Sequence, residues 1–211
     1  MRHDLVELYR ALAARDMLIG SSGNVSARHG SGMLISPTGC DADTLTPDDI
    51  VEVTFDGAYH GPTRPSSEWE LHASIYQVDP SAGVIVHTHS DHATALACLN
   101  RPLPAFHYNV AEFGGEDVRC VPYATFGTPE LAVLAAAAIA GRRACLLANH
   151  GMIVHGRTPA QALAAAVRLE ALCKQYLLAC AAGTPRLLSR TEMTAAISRY
   201  ATYGQQREDA P

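Results

Sequence analysis

Apolar and polar positions change rhythm along this chain, and each change predicts an element. Between Asp4 and Met17 the residues Leu5, Leu8 and Leu12 recur three and four positions apart, a helical spacing. "NVSARHGSGMLIS" then predicts two short strands about a Gly-rich turn. "LTPDDI" offers Thr46 as a cap and Pro47 in the first turn of a brief helix. "SSEWELHASIYQ" predicts a helix, with Ser67 and Glu70 in capping-box positions and Asp79-Pro80 as its stop.

The β-branched run of "AGVIVHTH" predicts a buried strand, and "SDHATALACL" a helix after it. "GTPELAVLAAAAIA" predicts a helix capped by Thr128, with Pro129 in its first turn. "ACLLANHGMIVHG" reads as two strands with a Gly-containing break. A long helix follows from Thr158-Pro159 to Gly183, and Ser189 with Glu192 forms a further capping box. No linker, repeat or low-complexity stretch interrupts the series. Strands and helices intermix throughout, so the fold class is α/β, a sheet covered by helices. Strand order and direction do not follow from the pattern.

At 211 residues the chain is long enough for one sizeable core and short for two. A net charge of −5 gives no general attraction to nucleic acid or to an anionic membrane, so an anionic ligand must be held by local groups. No apolar run approaches the roughly 18 residues of a membrane helix. The charged start "MRHDLVELYR" lacks the apolar core of a signal peptide. Six cysteines without a CxxC pair read as reduced, mostly buried thiols of a cytoplasmic protein.

The histidines change the picture most. In a strand, residues i and i+2 share a face, so His87 and His89 project side by side at the end of "VIVHTH". Two neutral imidazoles so placed can meet one ion, and a catalytic zinc needs a third ligand and an open position. His150 follows another apolar strand, and Gly151 would let the backbone turn it towards the pair. Each of these histidines could equally be a hydrogen-bonded strand-end residue. His3, His29, His60 and His72 read as structural or solvated. His92 and His155 are candidates for supporting or substrate-facing places, and His107 has no assigned role.

Three segments, "SSGN", "SPTG" and "PSSE", are rich in hydroxyls and open backbone and contain no cation. Ser66 and Ser67 precede a helix, where free N–H groups favour an anion. Plain turn chemistry would also explain all three. Glu68 follows as a helix-start carboxylate or a general acid/base. The single lysine, Lys174, lies inside the last long helix, which argues against a Schiff-base mechanism.

Together, "SSGNVSARHGSGMLISPTG", "PSSEWELHASIYQ", "VIVHTHSDHATA", "FHYNVAEFGG", "PYATFGTPEL" and "LLANHGMIVHG" resemble the zinc-dependent class II aldolase/adducin family. Within it the resemblance is to the branch acting on L-fuculose 1-phosphate. It implies one three-layer domain over residues 1–211, with a central mixed, largely antiparallel sheet; the short, polar tail after about residue 204 is expected to be flexible. It implies a homotetramer with active sites at subunit interfaces. By the resemblance, His87, His89 and His150 match the zinc ligands and Glu68 the catalytic carboxylate. Gly23, Asn24, Thr38, Gly39, Ser66 and Ser67 match the phosphate pocket. Tyr108 matches a tyrosine supplied by a neighbouring subunit, and Phe126 and Tyr203 the aldehyde end of the pocket.

The reaction so implied is reversible cleavage of a ketose 1-phosphate to dihydroxyacetone phosphate and an aldehyde. The alternatives are a 5-deoxyribulose or methylthioribulose 1-phosphate aldolase, a pentulose-phosphate 4-epimerase, and a sugar-phosphate dehydratase or decarboxylase. A metal-free, adducin-like binding module is the alternative of a different class.

Overall fold

The computed structural model describes residues 1–200. Seven strands form one sheet: β1 (Asn24–His29), β2 (Gly32–Ile35), β3 (Val51–Thr54), β4 (Val84–Thr88), β5 (Arg119–Val121), β6 (Ala144–Leu147) and β7 (Gly151–Gly156). Their order is β3-β2-β1-β4-β7-β6-β5. Every pairing is antiparallel except β5 with β6, so the sheet is mixed and largely antiparallel, as the resemblance implies.

The helices are α1 (Arg2–Ala13), α2 (Trp69–Val78), α3 (Asp91–Ala97), α4 (Pro129–Ile139), α5 (Pro159–Ala182) and α6 (Arg190–Tyr200). Short 3-10 turns cover Pro47–Asp49 and Tyr108–Phe113. The alternation along β4 divides the core in two. Val84 and Val86 pack with residues of α1, α3 and α5, whereas Ile85 packs with residues of α2 and α4. Helices therefore cover both faces of a three-layer α/β domain.

Most caps form where the sequence predicts them. Thr128 and Thr158 accept from the N–H groups of Leu131 and Gln161, each with Pro in the first turn. Ser189 and Glu192 exchange both capping-box bonds. Two details differ. The first helix ends at Ala13, because Asp16 takes a left-handed conformation (φ 57°) and turns the chain out. The Ser67–Glu70 box does not form. Glu68 itself occupies the cap position of α2, and the Ser66 hydroxyl accepts its N–H at 3.3 Å. The six cysteines are free thiols, but only Cys145 and Cys173 are buried. None of the described helices is long and apolar enough to cross a membrane.

Candidate active site

The layer between the sheet and α2 carries the site. His87 shares the face of Ile85 on β4 and is fully buried. His89 stands just past the end of the strand. His150 arrives from the β6–β7 turn, which β4–β7 pairing brings alongside. That turn is made by Asn149, whose φ of 54° is left-handed. Gly151 has a different task from the expected one. A Cβ there would meet the Thr88 carbonyl and the His89 ring, so the hydrogen clears the approach of β7 to the end of β4.

The three imidazoles meet edge to face around one point. Their centroids are 4.8–4.9 Å apart and their planes cross at 70–74°. His87 Nε2 and His89 Nε2 are 3.0 Å apart. Bonds of about 2.0–2.1 Å to a tetrahedral ion would put neighbouring donors about 3.3 Å apart. Glu68 closes the group, with Oε2 3.1 Å from His87 Nε2 and Oε1 3.4 Å from His150 Nε2. One ligand atom from each of the four residues lies within 4.8 Å of all the others. His87 Nδ1 donates to the Met152 carbonyl at 2.9 Å, which leaves Nε2 free to ligate. Glu68 Oε1 is buried without a hydrogen-bond partner among the described residues. An orphaned carboxylate oxygen beside three imidazoles is a donor set that could hold a divalent metal ion.

The electrostatics agree. Burial, reinforced by repulsion from His87, holds His89 down to about 4 and His150 to about 3, so both present neutral lone pairs. Burial pushes His87 the same way, but Glu68 overcomes it and raises His87. Burial raises Glu68, and the fields of His87 and His150 with the Asn24 amide carry it well below the ordinary carboxylate range. A proton bridging His87 and Glu68 and a divalent cation would compete for the same lone pairs.

The group opens into a cleft of about 320 Å³ whose walls include Gly23, Asn24, Thr38, Gly39, Ser66 and Ser67. No Lys or Arg lines it among the described residues, as expected from the three hydroxyl-rich segments. Gly23 has φ +85°, and a Cβ there would come within 2.5 Å of Leu18 Cδ2 and 2.8 Å of the His87 carbonyl. Glycine is therefore required where this wall crosses β4. Phe126 lines the same cleft and is 64% exposed, with Tyr123 beside it at 61%.

Other candidates lie elsewhere. Tyr108 is exposed, stacked on His107 at 4.7 Å, and borders a separate hollow with Arg143 and Arg168. His107 Nδ1 accepts from the Asn109 N–H at 3.1 Å, a capping role. His92 Nδ1 contacts Glu170 at 2.6 Å, and His155 is held by the Arg142 carbonyl at 3.1 Å and Asp79 at 3.2 Å. None of these histidines lines the cleft. Tyr203 lies outside the described residues. Ser21 and Ser22 of the SSGN segment line the cleft as well, together with Tyr123 and Asn149, which the sequence does not single out. The sequence reading also missed His72, which is fully buried behind Glu68. The E-x-x-x-H spacing, one helical turn, was the available signal for His72.

Comparison with known proteins gives a consistent result. The Class II Aldolase and Adducin N-terminal domain family model matches residues 3–177. A 5-methylthioribulose-1-phosphate/5-deoxyribulose-1-phosphate aldolase of Rhodospirillum rubrum is 46% identical, covering 97% of this chain and 92% of its own. An L-fuculose phosphate aldolase of Escherichia coli is 42% identical, over 90% of this chain and 89% of its own. A solved L-fuculose 1-phosphate aldolase superposes with a TM-score of 0.91 at 38% identity, over 95% of both chains.

Proposed function

The chain belongs to the Class II Aldolase and Adducin N-terminal domain family, and on that premise we propose that it cleaves a ketose 1-phosphate reversibly to dihydroxyacetone phosphate and an aldehyde. The observation that carries this reading is the convergence of His87, His89, His150 and Glu68 at the floor of a hydroxyl-lined cleft. The three imidazoles would hold a zinc ion. Bound there, it would supply Lewis-acid stabilisation for the negative charge that develops on the ketone fragment. Lys174 is exposed on α5 and does not line the cleft, so no amine is at hand for a Schiff base.

The chain's own groups divide the remaining work. Backbone N–H groups and hydroxyls of the Gly23–Asn24, Thr38–Gly39 and Ser66–Ser67 segments bind the phosphate and fix the sugar's place. Glu68 gives a proton to carbon 3 in cleavage and removes it in synthesis. The carbon 4 hydroxyl loses its proton as the carbon–carbon bond breaks. Tyr108 of a neighbouring copy receives that proton, in a homotetramer with shared sites. Its exposure at 56%, away from its own chain's Glu68, supports a role on another subunit.

One observation bears on the sugar. The exposed rings of Tyr123 and Phe126 offer an apolar wall, which suits an aldehyde with an apolar far end. This favours 5-deoxyribulose or methylthioribulose 1-phosphate beside the L-fuculose 1-phosphate of the fold likeness. The test is a panel of these three sugars assayed for dihydroxyacetone phosphate, with L-ribulose 5-phosphate assayed for epimerisation and the metal content measured. Release from at least one ketose 1-phosphate, with about one zinc per chain, is expected. Epimerisation alone, or no turnover by fully metal-loaded protein, would refute the aldolase reading.

A further inference from the structure

Behind Glu68 a polar ladder runs through the layer between β1 and α2. Glu68, His72 and Tyr76 recur at every fourth position of the helix and face the sheet. Asn24 and Ser26 recur at every second position of β1 and face the helix. Four helical residues advance about 6 Å and two strand residues about 6.6 Å, so the two series interleave. Asn24 Nδ2 donates to Glu68 Oε2 at 3.1 Å, and His72 Nε2 meets Asn24 Oδ1 at 2.5 Å. His72 Nδ1 meets Ser26 Oγ at 2.7 Å, and Ser26 Oγ meets the Tyr76 hydroxyl at 2.8 Å. Glu68 is 6% exposed, Asn24 4%, Tyr76 1%, and His72 and Ser26 not at all. At the far end, Arg28 lies over the Tyr76 ring at 4.8 Å and donates to the Tyr76 carbonyl at 2.7 Å.

The direction of every bond follows from the carboxylate. An ionised Glu68 only accepts, so it takes the nitrogen end of the Asn24 amide. The amide oxygen then faces His72, whose Nε2 must carry the proton. His72 Nδ1 is left as an acceptor for the Ser26 O–H, and Ser26 in turn accepts from Tyr76. All four donors point towards Glu68, and each polarises the next. Burial also keeps His72 neutral, pushing it down to about 3.

We infer that His72 is a positioning residue which, as the Nε2–H tautomer, locks the Asn24 amide so that its N–H holds the Glu68 carboxylate towards the reacting carbon. This rests on the acid/base role of Glu68 proposed above. Without the His72 donor, the amide is free to turn its oxygen to the carboxylate, and two acceptors would then face each other. Glu68 would swing from its place while the imidazole cluster and the phosphate cradle stayed intact.

Two measurements test this. Nitrogen NMR of the imidazoles reads the tautomer without reference to turnover. His72 is expected as neutral Nε2–H from about pH 5 to 8, and an Nδ1–H form or a titration in that range would overturn the inference. The second is steady-state kinetics on metal-loaded variants. His72→Leu should lose at least about tenfold in kcat while KM changes less than about twofold. His72→Gln, whose amide can still donate to Asn24, should recover most of that loss. Ser26→Ala is the milder second variant if His72→Leu does not fold. It should mix the two tautomers in the NMR spectrum and lower kcat, and a pure Nε2–H spectrum with unchanged kcat would count against the ladder. If Glu68→Gln is inactive while folded His72→Leu turns over normally, the ladder inference fails alone. If Glu68→Gln is fully active, the acid/base reading beneath it fails.

Discussion

At the scale of single residues, Glu68 is the group on which binding and chemistry separate. It is the only carboxylate among four side chains that converge, and its Oε1 has no hydrogen-bond partner among the described residues. Replacing it by Gln keeps the shape and removes the proposed proton-transfer group. We expect Glu68→Gln to retain its metal and lose about 10²–10⁴-fold in kcat, the usual range for a general acid/base. Metal analysis beside the assay checks this, and normal turnover would remove Glu68 from the mechanism. Much of this residue set was legible beforehand. His87 and His89 follow from strand periodicity, and the hydroxyl segments announce themselves by composition. His72 was legible only as a residue one helical turn from Glu68, and that spacing carries no sign of burial. The turn at Asn149 was hidden for another reason. The adjacent glycine is the usual bearer of a left-handed φ, but here it serves clearance and the asparagine bends the chain.

At the scale of elements, the segment after His89 depends on a carboxylate from a distant helix. Ser90 makes no capping bond of its own at the start of α3. Glu170 on α5 does so instead, accepting from the N–H groups of His92 at 3.0 Å and Ala93 at 2.9 Å. The Ser90 hydroxyl at 2.8 Å and the His92 ring at 2.6 Å complete the arrangement. Burial opposes ionisation of Glu170, but these donors hold its carboxyl below the ordinary value. Its contribution to stability is therefore complete above about pH 4.3, its unfolded value, and is lost as pH falls through the folded one. Glu170→Gln should cost about 1–3 kcal/mol at neutral pH, and the gap from wild type should close in acid. Urea unfolding across pH measures both, and a pH-independent gap would contradict the capping role. This long-range cap was illegible, whereas the local caps at Thr128 and Thr158 form as the sequence predicts and the local Ser67–Glu70 box does not. β3 and β5 went unread, whereas the similarly short β2 and β6 are marked by the glycine-containing turns that join them to a neighbouring strand.

At the scale of the molecule, the candidate metal centre ties together three parts of the chain. Glu68 enters at the start of α2, His87 from β4, His89 from just past the end of that strand, and His150 from the β6–β7 turn. An ion that binds only this assembled state stabilises the fold, by about 2.7 kcal/mol at a hundredfold excess over Kd. We expect zinc-loaded protein to melt several degrees above chelated protein, and His150→Ala to abolish most of the difference. Identical melting curves for the two forms would argue against a site shared by these elements. The α/β class was legible from alternating element types, but the strand order was not, because it depends on which strands meet across long separations.

The interleaving of β1 with α2 has a last consequence. A helix on a wholly apolar sheet can slip by one turn and still bury its greasy side. Here a slip would part five mutually bonded groups, each costing about 1–3 kcal/mol when left dry and alone. Misdocked arrangements are thereby disfavoured during folding, and a chain that has folded has already set the proposed acid/base group, Glu68, at its height above the sheet.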